Sequence, residues 1–214
     1  MNGRTRGQGA KTPERRAAIA RAALDIVTEV GHRALTTAEV AARAGLSERA
    51  MLYHFPTRDH LLVAALELAD ADRADHYIAE HAAAATVRLE GMAEDFASAA
   101  VRNDHVIRLM AAMTAAATDD THPAHAYFLS HHAQALAGLA LVVRAEQQAG
   151  VAHPELDPEE TARQLLGMWL GLESLWLLRQ DFDLVASLTS AFRRITGRPL
   201  MEQRALLDRV VGSI

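Results

Sequence analysis

The chain has no cysteine among its 214 residues, which excludes disulfides, thiolate zinc sites and thiol catalysis and suits a reducing compartment. Aromatic residues make up only 5% of it, and the β-branched runs that build strands are missing. No apolar run approaches the roughly 18 residues a membrane helix requires, and the polar, basic first residues do not read as a signal peptide. These absences predict a soluble, cytoplasmic protein with no membrane partner. Enzyme signatures are missing too. There is no G-x-S-x-G, no phosphate-binding glycine loop and no H-E-x-x-H, so no catalytic residues are expected. Eleven histidines raise the question of a metal. His122 and His125 straddle Pro123, while His131 and His132, adjacent in sequence, point to different faces. No three converge, and neither metal nor cofactor is expected.

What the chain does have is alanine, and apolar residues that recur every three or four positions. Half of it is apolar, enough for one domain or two small ones. That periodicity predicts an all-α protein of about nine or ten helices. The net charge of −5 hides an asymmetry. Residues 1–60 carry ten Lys or Arg against six Asp or Glu, net +4, and residues 61–214 carry twelve against twenty-one, net −9. A basic head suits a polyanion, and an acidic remainder would be repelled from one.

The most informative stretch is Leu35 to Phe55, LTTAEVAARAGLSERAMLYHF. Thr36 and Glu39 stand three apart as a capping box, so a helix begins at Thr37, with Glu39 reaching back to the open backbone donors. It runs to Ala44, and Gly45 supplies the left-handed residue that ends it. Ser47 then caps a second short helix over Glu48 to Phe55. Two short helices joined by a glycine turn make a helix-turn-helix. Val40, Ala41 and Ala44 face Met51 and Phe55 within it, leaving Glu48, Arg49, Ala50, Tyr53 and His54 outward, where a recognition helix meets base edges.

Residues 1–11 are glycine-rich and basic and are expected to be a disordered arm, with Arg4, Arg6 and Lys11 available to phosphates. Thr12 caps the first helix, Pro13 takes its first position, and Ile19, Ala22, Ala23, Ile26, Val27 and Val30 form its buried stripe up to Gly31. Beyond Pro56, Thr57 caps a long helix that Leu61, Leu62, Ala65, Leu66 and Leu68 carry towards residue 81.

From Pro13 to about Leu68 the chain resembles the DNA-binding domain of the TetR family of bacterial transcriptional regulators. The resemblance rests on Gly31, Thr36-Thr37, Val40-Ala41, Ala44-Gly45-Leu46-Ser47, Tyr53-His54-Phe55, Arg58 and Leu61-Leu62, all in the family's register. It implies a three-helix DNA-binding domain over 12–58, with the motif at 36–55, and a helical ligand-binding and dimerisation domain over 59–214. It further implies DNA contacts from Thr36, Thr37, Ser47, Glu48, Arg49, Ala50, Leu52, Tyr53, His54 and Arg58, with Thr37, Ser47, Tyr53 and Arg58 near phosphates. Two positions depart from the pattern. Arg49 stands where the family usually has a small residue, and Leu52 where it has a tyrosine; either Leu52 presses on a thymine methyl or Tyr53 takes over the backbone contact. Glu48 either accepts from a cytosine amino group or pairs with Arg49 or Arg58 and orients it.

Past residue 81, helices are expected at about 87–102, 104–118, 123–149, 157–179, 182–196 and 199–211. The clearest start is Asp157-Pro158-Glu159-Glu160, where cap, first-turn proline and acids that suit the helix dipole coincide. This helix is apolar over more than half its circumference, so one face should meet a partner chain. Leu165, Gly167, Met168, Gly171 and Leu175, with Leu184, Leu188 and Phe192 of the next helix, are the expected homodimer interface. The large apolar residues available for an effector pocket are Met92, Phe96, Met110, Met113, Tyr127, Phe128, Trp169, Leu172 and Trp176, with Tyr127 and His131 as polar contacts.

The function this predicts is a ligand-responsive transcriptional repressor. As a homodimer it would bind an inverted-repeat operator in double-stranded DNA, and a small apolar or aromatic effector would release it. The competing reading is a small-molecule binding protein or helical enzyme whose basic N-terminal segment is only a docking surface.

Overall fold

The computed structural model describes residues 11–81 and 88–211, with side chains over 12–74 and 88–210. The described residues form ten α-helices and one short 3-10 turn, and no strand, in agreement with an all-α fold. The helices are α1 (Lys11–Val30), α2 (Thr37–Arg43), α3 (Glu48–His54), α4 (Arg58–His81), α5 (Leu89–Arg102), α6 (His105–Ala116), α7 (Ala124–Gln148), α8 (Pro158–Arg179), α9 (Leu184–Ile195) and α10 (Arg198–Val211). Helix α1 begins at Lys11, so Thr12 lies in its first turn rather than capping it. Pro13 is tolerated there because first-turn N–H groups have no intrahelical partner anyway. Lys11 therefore belongs to a helix, and the rest of the expected basic arm, 1–10, lies outside the described residues. The 3-10 turn at His32–Ala34 has no counterpart in the sequence pattern.

The chain forms two compact units. Among the described residues the first comprises 11–81 and 103–128, the second 88–102 and 129–211. The first is therefore larger than the segment 12–58. Its core gathers Ile19, Ala23, Ile26 and Val27 of α1, Val40 of α2, Met51 of α3, Leu61, Leu62, Ala65 and Leu66 of α4, and Leu109 and Met113 of α6. Helix α1 lies along α4, and Arg21 fastens the two with a double hydrogen bond to Asp72 at 2.7 and 3.0 Å. Gly31 ends α1 at φ 83°, a conformation costly for any other residue. A Cβ there would stand 3.1 Å from Nδ1 of His105 at the start of α6, so the glycine also permits a close approach.

In the second unit α9 packs on α5 and α8. The facing side of α5 is Leu89, Ala93, Ala97 and Ala100, small enough for α9 to come close with Leu184, Leu188 and Phe192. Asp157 caps α8, its carboxylate accepting from the Glu160 backbone N–H at 2.8 Å, as its sequence signature predicts. The buried Glu146 of α7 accepts from the Leu89 N–H at 3.0 Å and so serves the open start of α5. Helix α7 corrects the expectation that no apolar stretch reaches membrane length. Its length and a mean hydropathy of 1.3 over an 18-residue window would suffice for a span. Alanine and leucine carry that value, and core helices pass the same test, so it is weak support for a membrane role.

Candidate nucleic-acid interface

The helix-turn-helix is built by three local devices that its sequence specifies. The Thr36 hydroxyl accepts from the Glu39 N–H at 3.2 Å, starting α2. The turn is a Schellman motif: Gly45, at φ 68°, donates to Ala42 O at 3.1 Å and Leu46 donates to Ala41 O at 2.9 Å. The Ser47 hydroxyl accepts from the Ala50 N–H at 3.3 Å, starting α3. Only half of the expected capping box forms. The Glu39 carboxylate turns instead to Arg43 Nε at 2.9 Å, and Arg43 reaches on to Glu29 of α1 at 2.8 Å. Those two carboxylates, Glu39 first, hold the Arg43 guanidinium above its ordinary pKa.

With Val40, Ala41, Met51 and Phe55 buried and Ala44 half-buried, α3 is fixed in rotation. Glu48, Arg49, Leu52 and Tyr53 are exposed and Ala50 and His54 half-buried. Tyr53 is 85% exposed, its ring edge-on to His54 at 5.5 Å between centroids. Thr36 and Ser47 are exposed, and Thr37 is half-buried. A polar surface with one large unburied aromatic, presented by a short helix locked at its start, is suited to lie in a groove of nucleic acid.

The electrostatics differ from expectation at two residues. The Glu48 carboxylate accepts a hydrogen bond from Thr37 Oγ1, not from Arg49 or Arg58. Arg58 is half-buried and donates from Nε to Leu35 O at 2.9 Å and from a terminal nitrogen to His32 O. It therefore clips the turn before α2 to the start of α4, leaving fewer donors for a phosphate. Burial, and then the charge of Arg58, lowers the pKa of His32 beside it.

Arg16 is a contributor that sequence reasoning missed. From α1 it donates to His54 O at 2.7 Å, and its guanidinium lies 4.2 Å from the centre of the Phe55 ring. It thus satisfies a carbonyl at the end of α3 and stacks on the residue that closes it. Only the tertiary fold joins positions 38 apart, so no local pattern marks it.

The expected effector residues fall into both units. In the first, Met113 and Phe128 are in the core, Met110 packs against it, and Tyr127 donates to Asp70 at 2.5 Å. Burial and then that acidic partner raise the Tyr127 pKa. In the second, Trp169 meets Phe96 at 5.5 Å and Phe192 at 5.8 Å, Trp176 is buried, and Met92, His131 and Leu172 are half-buried. A surface groove of about 400 Å³ in that unit is lined by Leu136, Ala137, Ala140, Leu141, Arg144, Glu159 and Arg163, none of them an expected effector contact.

Of the expected dimer residues, Leu165, Leu184, Leu188 and Phe192 are covered by their own chain. Gly167, Gly171 and Leu175 are exposed and Met168 half-buried. Leu178, one turn beyond Leu175, is 79% exposed. Among the described residues no three His, Asp or Glu side chains gather as metal ligands. His122 meets Asp59 at 3.4 Å and His125 meets Ala117 O at 2.8 Å.

Residues 19–65 match the family model for bacterial regulatory proteins, tetR family. No curated protein matches the chain in sequence. Solved structures share its fold. A putative TetR-family transcriptional regulator from Rhodococcus sp. is 25% identical, with a TM-score of 0.62 over 86% of this chain and 99% of its own. A putative transcriptional regulator from Saccharomonospora viridis, in complex with choline, is 18% identical, with a TM-score of 0.65 over 85% and 95%. Thermus thermophilus FadR, a TetR-family transcriptional repressor in complex with lauroyl-CoA, is 18% identical, with a TM-score of 0.61 over 84% and 92%.

Proposed function

From the match of residues 19–65 to the family model for bacterial regulatory proteins, tetR family, we propose that the chain is a homodimeric, ligand-responsive transcriptional repressor acting in the cytoplasm by binding rather than catalysis. The observation that carries this is the outer face of α3, where Glu48, Arg49, Leu52 and Tyr53 stand exposed on a helix held at both ends. In this reading 12–58 is the DNA-binding domain, with the basic residues before it available to phosphates, and 59–214 the effector and dimer domain. Two copies related by a two-fold axis would read the halves of an inverted repeat, with Gly167, Met168, Gly171 and Leu175 of α8 facing the partner.

The effector is proposed to be small and apolar or aromatic, held among the residues around Trp169. Two structures of this fold are complexes with small molecules, choline in one and lauroyl-CoA in the other, which supports an effector for this chain. It would release DNA only by binding more tightly to the conformer whose reading helices are wrongly spaced, since equal affinity for both shifts nothing.

The test is selection from random duplexes followed by a salt titration. A repressor enriches one inverted repeat and binds it with an affinity that falls steeply with salt. Equal binding of all sequences, or none, overturns the proposal in favour of a small-molecule binding protein or helical enzyme. Arg49→Ala is expected to relax base preference in the same selection.

A further inference from the structure

Within the DNA-binding reading above, on which this rests, we infer that Glu48 selects a cytosine in each half-site and that Thr37 is the positioning residue that aims it. Glu48 is the first residue of α3 and is exposed, one turn from the exposed Leu52 on the same helix face and next to the exposed Arg49. A carboxylate on a surface that meets phosphates is unfavourable unless it has a donor to meet. Two arginines that could neutralise it are engaged elsewhere, Arg58 with Leu35 O and His32 O and Arg43 with Glu39 and Glu29, and among the described residues no ion pair joins Arg49 to Glu48. Its partner is instead the uncharged Thr37 hydroxyl, which leaves the negative charge in place and fixes its direction. A hydroxyl has one proton to donate, so while Thr37 donates to Glu48 it cannot also donate to a phosphate.

In the major groove only cytosine and adenine present amino donors. Adenine sets the N7 acceptor beside its amino group, which repels a carboxylate; guanine and thymine offer acceptors at the corresponding edge. A fixed acceptor-only side chain therefore favours cytosine. Glutamine, which carries a donor and an acceptor, matches adenine instead.

The experiment repeats the selection with full-length protein and compares motifs. Wild type is expected to require cytosine at one position of each half-site, by about tenfold over other bases. Glu48→Gln should move that preference to adenine and leave the other positions unchanged. Thr37→Val should flatten the preference at that position alone, and Thr37→Ser should restore it, with circular dichroism melts confirming that each variant is folded. A Glu48→Gln motif identical to wild type, bound more tightly at every sequence, overturns the inference: the carboxylate would then act only by repelling phosphates. A wild-type protein that enriches no inverted repeat overturns the regulator reading itself, a distinguishable failure.

Discussion

The two units differ in what they leave uncovered. In the first, the large apolar residues exposed among those described are Val30, Leu52 and Tyr53, and two of these sit on the outer face of α3. In the second they are Val101, Leu129, Leu141, Leu175, Leu178, Leu200, Leu206, Leu207 and Val210. Isolated leucines on a surface need no explanation, but a series along α8 and α10 does. The first unit is finished as a folded body and offers water a polar face. The second has Leu165, Leu184, Leu188 and Phe192 inside and still carries exposed leucines along α8 and α10, which supports the proposed pairing with a second copy.

The comparison breaks if the units do not fail separately. Both tryptophans, Trp169 and Trp176, lie on α8, so their fluorescence reports the second unit alone. Phe192→Ala should lower the fluorescence-detected stability by about 3–5 kcal/mol. Met51→Ala, a cavity of similar kind in the first unit, should cost about 2–5 kcal/mol in the helical circular dichroism signal and leave the fluorescence transition in place. A common shift of both transitions would show one cooperative body.

A second, smaller effect sharpens the account of the first unit. Arg58→Ala leaves His32 O and Leu35 O without their donor, and denaturant titration should show a loss of about 1–3 kcal/mol. If Arg58 chiefly held a phosphate, stability would stay and the salt slope of DNA binding would fall by about one instead. On the second unit, Leu178→Glu should weaken self-association by about tenfold or more, or about 1.4 kcal/mol, read by sedimentation, with the fold unchanged. Unaltered association would remove α8 from the interface.

The smallest effect is a contrast in response to acid. Asp72 has its pKa held below the ordinary 3.8 by its hydrogen bond and charge pairing with Arg21. Its contribution is complete above that ordinary value and is lost as pH falls through the lowered one; for so exposed a pair it amounts to at most about 1 kcal/mol. Glu146 is opposite, raised above 4.5 chiefly by burial. Its contribution is complete below 4.5 and is lost as pH rises through the raised value. As pH falls below 6.5, His32 of the first unit and His132 of the second, both lowered chiefly by burial, should cost their units stability, and Glu146 should offset this in the second unit only. Glu146→Gln should remove that offset from the fluorescence-detected pH profile, and Asp72→Asn should flatten only the acid limb of the first unit.

How much of this was legible in the chain depended on the range of the interaction. Caps act within four residues, so Thr36, Ser47 and Asp157 announced their helices, and the starts of α2 and α3 fall where their signatures put them. The first helix was misjudged by two residues because Thr12-Pro13 imitates a cap and first position, whereas the helix already includes Lys11. Periodicity marked Leu165, Leu184, Leu188 and Phe192 as an apolar stripe and assigned it to a partner chain, whereas their own chain covers them, because period alone does not say which chain does the covering. The partners of Arg16, Arg58 and Glu48 lie 38, 23 and 11 positions away, so nothing local specifies them. Apolar content alone likewise could not separate a core helix from a membrane-length one in α7.

Arg16 has a mechanical consequence. Helix α1 lies on α4 along its length, and this one side chain couples α1 to the far end of α3 through a carbonyl and a ring. The short helix α3 is thus tied down at its end as well as capped at its start, so the direction of its exposed side chains is set by where α1 lies on α4.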